Sequence, residues 1–209
     1  MGHKTLVTFI AASLALAASS QALAYGAGDL YTRIGVAKVS PKSDNGTLDT
    51  ALGELGVDVR DKSDFAFTLG YRFTDKLGVE LLAALPFEHD IRLNDANIAS
   101  TKHLPPTLTL QYYPLGGTLS RVQPYLGAGV NYTRFSSEQV DIDGVGLELD
   151  DSWGVAGQLG VDLVIDEHWA LNAAAWYLDI DSDATVAGES AGRVEIDPVV
   201  VMAGLSYRF

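Results

Sequence analysis

Residues 65–73 read FAFTLGYRF. Phe65, Phe67, Leu69, Tyr71 and Phe73 alternate with Ala66, Thr68, Gly70 and Arg72, so an extended chain carries a large apolar face and a small or polar one. A helical stripe would repeat near every 3.6 positions instead. Outward from this segment the same alternation recurs, at about residues 29–40, 64–73, 77–89, 103–113, 123–135, 152–165, 169–180 and 197–209.

The connections are as informative as the strands. Long ones (41–63, 90–102, 136–151 and 181–196) alternate with shorter ones (74–76, 114–122 and 166–168). Strands in soluble sheets average roughly five or six residues, and these are longer. An even number of long strands, short turns at one end and long loops at the other predict an all-β fold. It is an eight-stranded antiparallel transmembrane β-barrel with short periplasmic turns and long extracellular loops. Closure removes the unpaired edge that hydrocarbon would penalise. The predicted location is the outer membrane of a Gram-negative bacterium, in contact with its lipids and lipopolysaccharide.

Residues 1–24 have the pattern of a signal peptide. Lys4 gives a basic start, Thr5–Ala18 an apolar stretch, and Ala22-Leu23-Ala24 a small-x-small cleavage site. The apolar stretch is shorter than the ~20 residues of a spanning helix. The expected organisation is therefore a signal peptide over 1–24 and one barrel domain over 25–209. There is no cysteine, so no disulfide holds the fold. With 27 acidic against 14 basic residues the net charge is −13, which excludes nucleic acid as a partner. The last segment, VVVMAGLSYRF (199–209), ends on an aromatic with Tyr207, Leu205, Ala203, Val201 and Val199 on the same face. That pattern resembles the C-terminal signature read by the outer-membrane assembly machinery, an expected partner.

Strict alternation lets the lumen be read residue by residue. Near the short-turn end it receives Arg33, Arg72, Glu80, Gln111, Asp162, Asn172, Ser206 and Arg208. Arg33, Arg72, Glu80, Asp162 and Arg208 are expected to form a polar plug. Toward the loop end the list turns apolar or small, with Ala37, Ala66, Leu82, Ala84, Ala156, Ala174, Trp176, Leu178, Val200 and Met202. An eight-stranded barrel is just wide enough for its own side chains or one small ligand. The upper lumen is thus either a filled core or an apolar pocket suited to hydrophobic molecules.

Other chemistry is weakly signalled. His89 and His103 flank one loop without a spaced third ligand, so a metal site is not expected. The acidic segment SSEQVDIDGVGLELDD (136–151) lacks calcium-loop spacing. Nothing singles out a catalytic nucleophile, and neither an enzyme nor a cofactor is expected.

Several motifs in order carry a family resemblance: GVELLAALPF (78–87), HLPPTL (103–108) with QYY (111–113), QPYLGAGVNYT (123–133), DSWGVAGQLGVD (151–162), WYLDID (176–181) and SYRF (206–209). Together they resemble the OmpW family of outer-membrane proteins, which includes the alkane-uptake protein AlkL. The resemblance implies a narrow hydrophobic channel for small apolar molecules that leave sideways into the membrane. It places Leu82 and Trp176 at the narrowing, with Ala84, Leu178, Val200 and Met202 completing the expected conduit. Pro86, Pro105 and Pro106 remove amide donors from adjacent strands. They either end those strands or open the ladder as a lateral exit, and the resemblance favours the exit. The rival to a hydrophobic-solute channel is a structural or surface-interaction barrel with a filled interior and functional loops.

Overall fold

The computed structural model describes residues 26–43, 45–50, 53–59, 61–84, 87–93, 96–104, 106–140, 147–186 and 188–209. The expected signal peptide lies outside them. In chain order the strands are β1 (Leu30–Ser40), β2 (Thr47–Thr50), β3 (Gly53–Val59), β4 (Lys62–Arg72), β5 (Leu77–Ala84), β6 (Phe87–Leu93), β7 (Ala96–Leu104), β8 (Thr107–Tyr112), β9 (Val122–Val140), β10 (Leu147–Leu149), β11 (Ser152–Val164), β12 (Trp169–Leu178), β13 (Asp181–Val186), β14 (Glu189–Glu195) and β15 (Val199–Arg208).

Eight of these form the barrel. Running round it, β1, β4, β5, β8, β9, β11, β12 and β15 each pair antiparallel with the next. β15 then returns to β1 from Tyr31↔Arg208 to Ser40↔Val199, which closes the ring. Burial follows the period of two. Along β8 it alternates strictly, and along β12 it runs almost without a break. In FAFTLGYRF the small partners Ala66, Thr68 and Arg72 are buried while Phe65, Phe67, Leu69, Tyr71 and Phe73 stand 42–48% exposed. Exposed large apolar side chains continue right round the outside, through Leu110, Leu126, Leu159, Leu171 and Val201. A belt of this kind is tolerable only against lipid.

The short turns are held by local capping. Asp166 accepts the backbone N–H groups of His168 (2.8 Å) and Trp169 (2.9 Å), which holds its carboxyl below the usual carboxylate range. Thr74 Oγ1 accepts the N–H of Leu77 at 2.8 Å in the β4–β5 turn. At this end Trp169, Tyr207 and Phe209 stack edge to face, with centroids 4.7 and 5.1 Å apart. At the other end Tyr132 packs on Trp153 at 4.7 Å, and Trp153 and Tyr177 face outward.

The long connections differ from the expectation of plain loops. They carry seven of the fifteen strands, β2, β3, β6, β7, β10, β13 and β14, so the sheet continues above the membrane. β9 does not stop near residue 135 but runs to Val140, and its outer part pairs with β7. At about 3.3 Å per residue, its length is roughly twice the ~25 Å apolar band of a membrane barrel even when tilted. The predicted third and fourth strands are likewise divided, into β5 and β6 and into β7 and β8.

Leu159 is 67% exposed near the middle of β11. Replacing it by arginine puts a charge into hydrocarbon and should lower stability by about 2–4 kcal/mol at the midplane. Urea titration of the barrel in lipid vesicles measures this.

Candidate functional site

Arg33 occupies the centre of the lower lumen, 1% exposed. Parity on β1 points it inward, and the ring brings Glu80 from β5 and Asp162 from β11 to either side of it. Its Nη1 bonds Glu80. Its Nε and Nη2 grip the Asp162 carboxylate side-on at 3.2 and 2.6 Å. The rings of Tyr31 and Tyr125 lie 4.5 and 4.4 Å from the guanidinium carbon, so the cation is clamped between two aromatic faces.

Neither acid depends on Arg33 alone. Glu80 accepts from Thr68 (2.9 Å), Gln111 (3.0 Å) and Gln158 (2.7 Å). Asp162 accepts from Asn172 Nδ2 at 2.8 Å. Gln111 Oε1 in turn accepts the hydroxyls of Tyr31 (2.6 Å) and Tyr113 (2.5 Å). With the Tyr125 hydroxyl accepting from Asn172 Nδ2 at 3.0 Å, the result is one polar plate joining seven strands and the turn after β8. Arg72 stacks 3.6 Å over the Tyr113 ring, whose hydroxyl also accepts from Arg33 at 3.2 Å. Arg208 stands apart from the plate. It reaches Asp29 at 3.3 Å and the carbonyl of Glu167, on the short-turn rim. Two glycines make room for the clamp: a Cβ at Gly70 would sit 2.1 Å from the Tyr31 ring, and one at Gly160 2.2 Å from that of Tyr125.

Tyr31, Tyr113 and Tyr125 are absent from the plug read from sequence. The signal was parity, since Tyr31 shares the face of Arg33 and Tyr113 that of Gln111. Tyrosine has an apolar body as well as a polar tip, so it suits either face.

Above the plate the lumen changes character. Leu82, Trp176, Leu178, Val200 and Met202 are each 5% exposed or less and belong to one apolar cluster with Ala37, Ala66, Ala156 and Ala174. The cluster does not end at the membrane. Leu149, Ile180, Ala184, Ala191, Val194 and Ile196 continue it into β10, β13, β14 and their flanks, which cap the mouth. The first connection packs against this cap, where Asn45 Nδ2 donates to the Glu195 carbonyl at 2.8 Å. Lys42 donates to Glu195 and lies 3.3 Å from Asp197; the hydrogen bond to Glu195 keeps its ammonium above the usual range. Arg193 is held up likewise by Asp183 and Asp181.

Pro86 and Pro105 lie outside the described residues, and so does the side chain of Ala84. Pro106 is described, and its carbonyl accepts the N–H of Tyr132 at 3.1 Å. The flanking registers are informative. β5 and β8 pair up to Leu82↔Thr107, whereas β6 and β7 resume at Phe87↔His103. Four positions therefore face three. Because Thr107↔Asn131 and His103↔Phe135 keep one register against β9, the extra residue belongs to the β5–β6 side. The ladder slips by one between Leu82 and Phe87.

His89, His103 and most of the acidic segment fall on side chains outside the description. Among the described residues no cluster of three or more His, Cys, Asp or Glu is placed to hold a metal.

A closed barrel with a lipid-facing belt and a plugged lumen is an integral outer-membrane protein. The profile of the OmpW family matches residues 26–209, and the chain belongs to that family. Outer membrane protein W of Vibrio cholerae is 40% identical over 212 residues, covering 95% of this chain and 96% of the relative. The crystal structure of OprG from Pseudomonas aeruginosa superposes with a TM-score of 0.82 at 40% identity, covering 89% of this chain and 98% of that one. A more distant relative, 27% identical over 161 residues and covering 73% of this chain and 74% of its own length, is the dibenzothiophene metabolism operon protein PahQ of Pseudomonas aeruginosa. These relatives place the chain in the Gram-negative outer membrane.

Removing Arg33 while leaving both acids leaves buried charge without its counter-ion. Arg33→Met should cost about 3–5 kcal/mol. Unfolding in vesicles checks it, and a change below 1 kcal/mol would show that the plate tolerates its loss.

Proposed function

We propose that this protein is a passive outer-membrane channel for small hydrophobic molecules, which enter the apolar outer lumen and leave sideways into the membrane. The observation that carries this reading is the layering: an apolar interior around Leu82, Trp176, Leu178, Val200 and Met202 above a hydrogen-bonded polar plate. A water-filled pore wants polar walls along its length. Here an apolar solute can be desolvated in the upper half, while straight passage would have to break the Arg33 network. The one-residue slip between Leu82 and Phe87 supports a side exit, as do prolines 86, 105 and 106, which carry no amide donor for the ladder. The relative named for dibenzothiophene metabolism supports an apolar cargo.

The protein acts without catalysis and without a cofactor. Its partners are outer-membrane lipids and lipopolysaccharide, the apolar solutes, and the assembly machinery that reads the C-terminal strand. Nucleic acid is not among them.

One observation favours a second reading, a structural or surface-interaction barrel. The lining side chains are buried almost completely, and the apolar cluster runs unbroken into the cap. Under the channel reading these side chains and the cap move aside for the solute.

Uptake by proteoliposomes of a graded series, from polar amino acids to alkanes, separates the readings. Uptake above protein-free vesicles should be greater for the apolar members of the series than for the polar amino acids. Preference for polar solutes overturns the channel reading, and no uptake of any class leaves the filled barrel. Pro86→Val should restore an amide donor at the slip and slow apolar uptake while the barrel stays folded. Undiminished uptake would rule out the side exit.

A further inference from the structure

Trp176 lies on β12 with Gln158 of β11 on one side and Val200 of β15 on the other. Its side chain is 1% exposed, yet its indole Nε1–H has no hydrogen-bond acceptor. Buried donors are almost always paired, so an orphan of this kind calls for a partner. Its partners across the ladder offer no open acceptor. Gln158 Oε1, the polar atom nearest in register, already accepts from Thr109 Oγ1 (2.9 Å) and Gln111 Nε2 (2.9 Å), which fills both lone pairs. The amide of Gln158 is turned to Glu80. Leu82, Leu178 and Val200 carry no acceptor, and the Met202 thioether is a weak one. The ladder occupies the strand carbonyls on either side.

We propose that the Trp176 indole N–H is a binding point for an acceptor oxygen carried by the solute. The cargo class is then a small apolar molecule with a single carbonyl, ester or hydroxyl oxygen, preferred over a bare hydrocarbon. This rests on the channel reading and narrows it. The buried polar groups Thr107, Asn131 and Thr133 bond one another, so the indole N–H stays open to a solute, and one lacking the oxygen leaves that donor unpaired in a dry site. The plate beneath offers no competing donor, since each amide and hydroxyl facing Glu80 and Gln158 is committed.

The test uses a methyl ketone and the alkane of equal chain length, with uptake by proteoliposomes normalised to protein-free vesicles. Wild-type protein should favour the ketone. Trp176→Phe, which keeps an aromatic ring and deletes the donor, should lower that preference about fivefold, the factor of one ordinary net hydrogen bond. The readout is the ratio of ketone to alkane uptake, which a change in overall rate leaves unaltered. An unchanged ketone preference in Trp176→Phe overturns the proposal. Failure of both solutes to enter faster than through empty vesicles overturns the channel reading instead. In that event, and equally if the variant does not fold, the indole N–H resonance of Trp176 in wild-type protein decides. It should shift with added ketone and not with alkane, and an unmoved resonance sinks the binding point.

Discussion

Hydrocarbon offers the backbone no hydrogen-bond partner, and every feature of this barrel answers to that constraint. A strand left at an edge would expose a row of N–H and C=O groups to lipid at several kcal/mol each. The pairing of β15 with β1 removes the last edge. With eight strands the lumen is narrow, so side chains sharing a face must either pack or satisfy each other. Both solutions are used, at different depths.

The polar solution needs room as well as partners. Arg33 could not be buried by its two acids alone, because desolvation opposes the Coulomb attraction. The rings of Tyr31 and Tyr125 shield it, and each needs a glycine opposite, Gly70 or Gly160, to find room. Beyond the acids, Gln111 and Gln158 pass hydrogen bonds from one strand to the next. The apolar solution is simpler. Alanines at 37, 66, 156 and 174 leave the volume that Trp176, Leu82 and Met202 take up.

Much of this was legible in the chain. FAFTLGYRF reads directly as β4, and the same parity places Arg33, Glu80, Asp162 and Trp176 inside, because burial on one face enforces a period of two. The outer strands were hidden for the converse reason. Segments such as TLDT (47–50) and GELGVDV (53–59) stand clear of the membrane, and no lipid imposes alternation on them. The prolines marked an irregularity in the β5–β6 and β7–β8 strands, but its form is a register slip, and register belongs to pairs of strands. Parity reaches which side chains enter the lumen; which of them bond is settled by the stagger of the ring. Arg208 has the right parity and lies too near the rim to reach Glu80.

The Arg33–Asp162 contact joins residues 129 positions apart, on strands three places apart round the closed ring. Contacts of such span form late in folding, after the intervening chain has paid its loop entropy. Until β11 arrives, Arg33, Arg72 and Glu80 hold one excess positive charge and Asp162 is an isolated acid, so a partly assembled sheet holds charge it cannot neutralise while entering a bilayer. Full compensation comes only with the closed ring. The plate therefore ties charge balance to the joining of the first and last strands, and it makes insertion a cooperative step in which half-built barrels are poor intermediates.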